Sequence, residues 1–185
     1  MNGFTITGQI MGFVAMALII VSFQFKDNKK LFAFQIASCT FFVLHYLFLG
    51  LGGDNTAFSG MAQNGIGLVF RVVIMLGYRY DKLRSTVVMA VISAAMAILA
   101  VYTASSGPVA LLPVVGNFVC LGAMWSRDEN VIRISQLVCV SPCWLIYNVF
   151  MLSIAGILME SFNIISIAVY YIRLSLEKRR ERRTE

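Results

Sequence analysis

Residues Ser85–Ser126 run for 42 positions without one Asp, Glu, Lys or Arg. Phe4–Phe25 and Leu31–Gly53 are also charge-free. Each stretch reaches the roughly 20 apolar residues that cross a bilayer. No water-soluble fold tolerates this, because a soluble domain needs charge at shorter intervals to keep its surface wet. Only 13% of the 185 residues are charged and 59% are hydrophobic, against about 25% charged in an average soluble domain. The chain reads as a polytopic membrane protein. The segment before the first span, MNG, lacks the Lys or Arg of a signal peptide, so this span reads as a retained helix.

Seven spans are expected, at roughly 4–25, 31–51, 56–77, 85–103, 108–126, 131–151 and 154–175. Short breaks rich in Gly, Pro, Ser and charge separate them, such as GLGGDNT and SRDEN. With seven spans, all 15 basic residues fall on one side of the membrane. Lys26, Lys29 and Lys30 follow the first span. Arg79, Lys82 and Arg84 follow the third, Arg127 and Arg133 flank the turn after the fifth, and the tail LEKRRERRTE follows the seventh. The positive-inside rule then places the C-terminus in the cytoplasm and the N-terminus outside. The asymmetry explains the net charge of +6 without nucleic acid. The tail reads as a topology anchor against anionic lipid. Trp125, Tyr78, Tyr80, Tyr170 and Tyr171 fall at expected cytoplasmic ends, as an aromatic belt does, whereas Trp144 lies deep in the sixth span.

A shift of 101 residues brings out an internal echo. KDNKKLFAFQ…LHY meets RDENVIRISQ…LIY, pairing Asp27 with Asp128, Gln35 with Gln136 and Tyr46 with Tyr147. With two residues of slack, Asn64 meets Asn163. The expected fold is therefore all-α and transmembrane: two parallel three-helix repeats joined by a linker helix, a 3+1+3 plan. A three-helix unit cannot be followed by a second copy in the same orientation unless one extra helix inverts the chain. The expected divisions are 1–84, the linker 85–106, 107–176 and the basic tail 177–185.

This layout resembles the SWEET/PQ-loop superfamily. GQIMGFVAMALIIVSFQF resembles its first helix, with Gln24 in the place of the PQ glutamine, and LHYLFLG resembles its Trp-x-x-Tyr-Gly ending. LLPVVGN, CWLIYN and SIAGILMES resemble more closely the YgjV family of bacterial inner-membrane proteins. The resemblance implies a bacterial inner membrane location and movement of a small solute. In sugar-transporting relatives, paired asparagines on the third and seventh helices hold the substrate, which implies that role for Asn64 and Asn163. No Pro precedes Gln24, the second repeat reads MWS at that place, and only Pro113 and Pro142 match hinge prolines. The fold is implied, sugar as the solute is not.

Individual residues give further candidates. Buried amides in hydrocarbon must find partners, so Asn64 and Asn163 face the bundle or a cavity. Glu160, near the outer end of the last span with no basic residue on its side, is a candidate for proton coupling or for the site itself. His45, the only histidine, reads as an outer-vestibule hydrogen-bonding group, with a proton or gating role as the sharper alternative. Trp144, Tyr46 and Tyr147 are candidate substrate-lining aromatics. Arg71 reads as snorkelling to the cytoplasmic interface, with contact to an anionic substrate as the alternative. Ser161, Ser166, Asn117, Asn148 and Gln63 are lesser lining candidates. Cys39, Cys120, Cys139 and Cys143 read as small packing residues.

A metal site lacks ligands, no cofactor is indicated, and no nucleophile stands beside a base, so an intramembrane enzyme ranks last. The leading expectation is alternating-access movement of a small polar solute. A non-transporting membrane receptor or accessory protein on the same fold is the alternative, and self-association into a homo-oligomer is left open.

Overall fold

The computed structural model describes residues 2–22, 28–77, 79–105, 107–126 and 128–181. Gln24, Lys26, Asp27, Tyr78, Arg127, Arg182 and Arg183, all used above, lie outside the described residues. The described residues form seven lipid-length helices and no strand. They are α1 (Gly3–Ser22), α2 (Asn28–Leu51), α3 (Ala57–Gly77), α4 (Thr86–Ala104), α5 (Leu112–Ser126), α6 (Glu129–Phe150) and α7 (Ile154–Glu181). Short 3-10 turns, Asp81–Arg84 and Pro108–Leu111, precede α4 and α5.

Local chemistry sets many of the ends. Ser85 caps α4 by accepting from the amide of Val88, and Asp128 caps α6 by accepting from the amides of Asn130 and Val131. Gly53 turns the chain after α2 with φ 112°. The turn between α6 and α7 instead puts Leu152 at φ 49°, a position side chains rarely take. Gln9 of α1 fixes it from both sides. Its Nε2 donates to the Leu152 carbonyl at 2.8 Å, and its Oε1 accepts from the Ile154 amide at 3.2 Å.

The helices pack as a ring in which α1 touches α2, α2 touches α3, α3 touches α5, α5 touches α6, α6 touches α7, and α7 returns to α1. The α4 helix lies outside the ring against α3 and α5, and Val87, Val91, Ile98, Val101 and Tyr102 of α4 are exposed for lipid. Lipid tails are as apolar as leucine, so helices in a bilayer associate by close packing and internal hydrogen bonds. Gly8 and Gly12 of α1 supply the close approach to α2. A Cβ on Gly12 would sit 2.8 Å from Nδ1 of His45, and one on Gly8 would sit 3.1 Å from the His45 carbonyl.

One end of the ring gathers the starts of α1, α3 and α7 with the ends of α2 and α6. Asn2 donates to the Gly52 carbonyl there, and Tyr147 to the Thr56 carbonyl. The opposite, basic end carries the described arginines and lysines. Arg133 lies 4.3 Å over the Tyr170 ring and pairs with Glu129 at 3.0 Å. The last helix does not stop near residue 175 as expected. It continues through Glu181, so the basic tail begins as an exposed extension of α7. Leu, Glu, Lys and Arg are good helix formers, and leaving the lipid does not by itself end a helix.

Candidate functional site

A chamber of about 70 Å³ lies inside the ring, walled by α1, α2, α3, α5, α6 and α7. Its walls are polar for a membrane interior. From α3 come Gln63, Asn64 and Arg71, from α5 Asn117, from α6 Gln136 and Asn148, from α7 Glu160, and from α2 Ser38 and Cys39. Asn117 donates through Nδ2 to both the backbone carbonyl and Oε1 of Gln63, at 2.8 and 3.0 Å, which ties α3 to α5. Gln63 is fully buried, and its Nε2 has no hydrogen-bond partner among the described residues.

Two tyrosines roof the chamber on the charge-poor end: Tyr46 lines it, whereas Tyr147, a lining candidate in the sequence, packs behind Tyr46 and does not. Tyr46 of α2 and Tyr147 of α6 are buried, with ring centroids 5.8 Å apart, and Trp144 packs against both. Each hydroxyl reaches across the ring. Tyr46 donates to Oδ1 of Asn148 on α6 at 2.6 Å. Tyr147 donates to the Thr56 carbonyl at 2.9 Å and accepts from the Gly60 amide at 2.8 Å, both at the start of α3. Gly60 is required by this contact, since a Cβ there would lie 2.6 Å from the Tyr147 hydroxyl oxygen and 2.9 Å from Cδ1 of Tyr46.

His45 lies beside this roof and does not line the chamber. Its Nδ1 is 2.6 Å from the Gly8 carbonyl, and its Nε2 is 2.7 Å from the Ser153 hydroxyl. The carbonyl can only accept, so Nδ1 carries a hydrogen. Ser153, which accepts from the Gly156 amide, is free to donate to Nε2. Both ring nitrogens are thereby engaged, and the imidazole joins α1, α2 and the start of α7.

The paired asparagines do not meet. Asn64 lines the chamber and donates to the Gly60 carbonyl of its own helix at 2.9 Å. Asn163 is half-buried outside the lining, with Nδ2 3.4 Å from Oε2 of Glu160. Glu160 itself is buried in the chamber wall, and the Ser141 hydroxyl faces it. Ser141 also accepts from Nε2 of Gln136 at 2.8 Å. This connection exists because Gln136–Val140 form a π turn, in which the Ser141 amide reaches the Gln136 carbonyl. Pro142 follows at once and has no amide hydrogen to restore the regular ladder. Ser161 and Ser166 are not among the lining residues.

Arg71 overturns the snorkelling expectation. The α3 helix runs from the charge-poor end to the basic end, so a snorkelling side chain points forward along it. Arg71 instead folds back, its Nη1 donating to the Gly67 carbonyl one turn earlier at 3.1 Å. Gly67 makes the space, since a Cβ there would lie 3.0 Å from that nitrogen. The guanidinium also lies 5.1 Å from the Phe70 ring centroid. The sequence contained the signal, a glycine four residues before an intramembrane arginine, which clears that face of the helix.

Lipid-length helices closed around a buried polar chamber define a multi-pass helical membrane protein. The chain belongs to the Imp-YgjV family of bacterial inner membrane proteins, whose model matches residues 6–178. It is thus a multi-pass inner-membrane protein. No curated protein and no solved structure matches it.

Proposed function

We propose that the protein moves a small polar solute across the inner membrane by alternating access. The observation that carries this reading is the polar chamber at the centre of the ring, roofed by Tyr46 and Tyr147 and walled by side-chain amides. Polar side chains at this depth are costly unless they serve packing or a solute. Here an amide donor of Gln63 is left over after the packing bonds are made. In this reading α1–α3 and α5–α7 are two parallel repeats, α4 is the inverting linker, and each tyrosine braces its own repeat against the other. The basic end faces the cytoplasm, as the positive-inside rule requires. Opening at one end would break the tyrosine bonds, and opening at the other would part the helices around Arg71 and Gln136.

Two readouts on one preparation test it. Cys39 and Cys120 line the chamber, so in a variant with Cys139 and Cys143 replaced by Ala they report occupancy by their rate of alkylation. Osmotic swelling of proteoliposomes in urea, glycerol, glycine and erythritol reports flux. At least one solute is expected to slow alkylation and to enter faster than into protein-free vesicles. A solute that protects the thiols while flux stays at the protein-free level would make the protein a receptor.

A further inference from the structure

The chamber holds one fixed cation, Arg71, and one carboxyl group, Glu160, which act on each other across it without forming a direct ion pair. Arg71 and Glu160 both line it, yet the one ion pair within 4 Å among the described residues is Arg133–Glu129 at the membrane surface. Arg71 is turned inward, away from the basic end where water and lipid phosphate would solvate it. An arginine held in this way lacks the bidentate oxyanion partner that its planar fork fits. Glu160 lines the same chamber, with Asn163 at a long 3.4 Å and the Ser141 hydroxyl facing it. Asn64 and the unpartnered Nε2 of Gln63 line the same chamber, the latter a further donor for an oxyanion.

We infer that the solute is a small zwitterion of the amino-acid type, its carboxylate on Arg71 and Gln63 and its ammonium on Glu160. The inference rests on the solute-binding part of the function proposed above and goes further by naming charge. Charge balance selects the class. A simple anion would leave Glu160 facing it without compensation, and a simple cation would meet Arg71. A neutral polyol would leave both groups desolvated, with only each other's field across the chamber and no direct partner, which is the costly outcome. Size agrees with a small solute, since at about 30 Å³ for each water a chamber of about 70 Å³ takes up about two or three waters.

Binding is measured on the purified full chain in detergent, so the result is independent of whether the protein transports. The readouts are the melting temperature and the alkylation rate of Cys39 and Cys120. The probes are glycine, acetate, glycinamide and glycolamide, which carry in turn both charges, only the negative one, only the positive one and none. Glycine is expected to raise the melting temperature and protect the thiols at concentrations where the other three do neither. Arg71→Gln and Glu160→Gln are each expected to weaken glycine binding about tenfold or more. Should Arg71→Gln fail to fold, Gly67→Ala displaces the guanidinium while keeping its charge, and is expected to weaken glycine in the same direction. Acetate or glycolamide protecting as well as glycine would overturn the inference, as would glycine affinity unchanged by both Arg71→Gln and Gly67→Ala, or no protection by glycine at all. Flux of a neutral solute alongside any of these would leave the transport reading standing and remove only the zwitterion.

Discussion

The Tyr147 hydroxyl stands between two backbone groups at the start of α3, and the Thr56 carbonyl also accepts from the Ser59 amide and hydroxyl. Thr56 and Gly60 are four residues apart, so the Gly60 amide is the natural partner of the Thr56 carbonyl in the first turn of α3. The tyrosine oxygen is inserted instead, giving to one and taking from the other. This geometry lets two substitutions be ranked. In Tyr147→Phe the oxygen is lost, but the Thr56 carbonyl keeps the Ser59 amide and hydroxyl, so chiefly the Gly60 amide loses a partner and the cost falls at the low end of the roughly 1–3 kcal/mol for a buried group left unpaired. In Gly60→Ala the new methyl meets Tyr147 and Tyr46 together, and neither ring can withdraw because both are packed by Trp144. Overpacking of this kind costs about 1–3 kcal/mol, and the added loss of the hydroxyl bonds puts it at the high end. Thermal unfolding in detergent should therefore show Gly60→Ala falling further than Tyr147→Phe; the reverse order would mean that the hydroxyl, not the close approach, holds the roof. Asn64 and Asn163 can be ranked as well. Asn64→Leu should weaken solute binding, measured as thiol protection, by about 1–3 kcal/mol, while Asn163→Leu should act less, because only Asn64 lines the chamber. Equal losses in the two would count against the chamber as the binding place. The sequence shows that amides are buried but not which faces converge. Depth follows from counting residues along a span, whereas facing depends on helix rotation, and Asn163 lies off the chamber lining beside Glu160.

At the scale of elements, the seven helices were legible because a charge-free run has one stable form in lipid, and their ends were not legible to the same degree. The expected end of the last helix was set by where charges begin, but α7 continues through Glu181 because its backbone bonds survive outside the bilayer. The π turn in α6 was hidden for a different reason. Pro142 announces a break in the ladder, yet a proline can be absorbed by a kink, a 3-10 turn or a π turn. Here the break is absorbed by a π turn, which brings the Gln136 side chain to Ser141. In the sequence echo Phe41 stands opposite Pro142, and α2 runs unbroken where α6 carries the π turn. A helix with a wide turn bends more easily than a regular one, and the turn sits beside the carboxyl of Glu160. If α6 is the element that bends during access, Pro142→Ala should leave solute affinity in detergent unchanged and slow flux in proteoliposomes by about tenfold, a barrier about 1.4 kcal/mol higher. A variant that loses affinity and flux together would show that the proline shapes the chamber and is not a hinge.

For the whole molecule, the ring has two unlike ends. The charge-poor end is sealed by buried tyrosines and by the clamps of Gln9 and His45. Toward the basic end the chamber walls include Arg71 and Gln136, both half-buried. The molecule as it stands is therefore sealed at the first end by buried side chains and at the second by half-buried ones. The proposed orientation, with the basic end in the cytoplasm, turns this into a statement about sides that a membrane-impermeant thiol reagent can read. Asn55 is exposed in the charge-poor loop between α2 and α3. Asn55→Cys, in a variant with all four native cysteines replaced, should label in intact spheroplasts and be protected in inverted vesicles. Cys39 and Cys120, kept as the only thiols in a second variant, should show the opposite preference, labelling faster in inverted vesicles. The slower rate from the outer side carries the mechanism. A solute path used from both sides requires the tyrosine roof to open on some cycles, so outer labelling should be slow but measurable. Tyr147→Phe, which removes the inserted hydroxyl, should raise that outer rate without raising the inner one. If the chamber thiols never label from the outer side, with or without the tyrosine, the chamber opens to one face only. Alternating access would then be excluded, and a receptor opening toward one compartment would take its place. If Asn55→Cys labels only in inverted vesicles, the orientation is reversed, and the same chamber measurements then assign the sealed end to the cytoplasm.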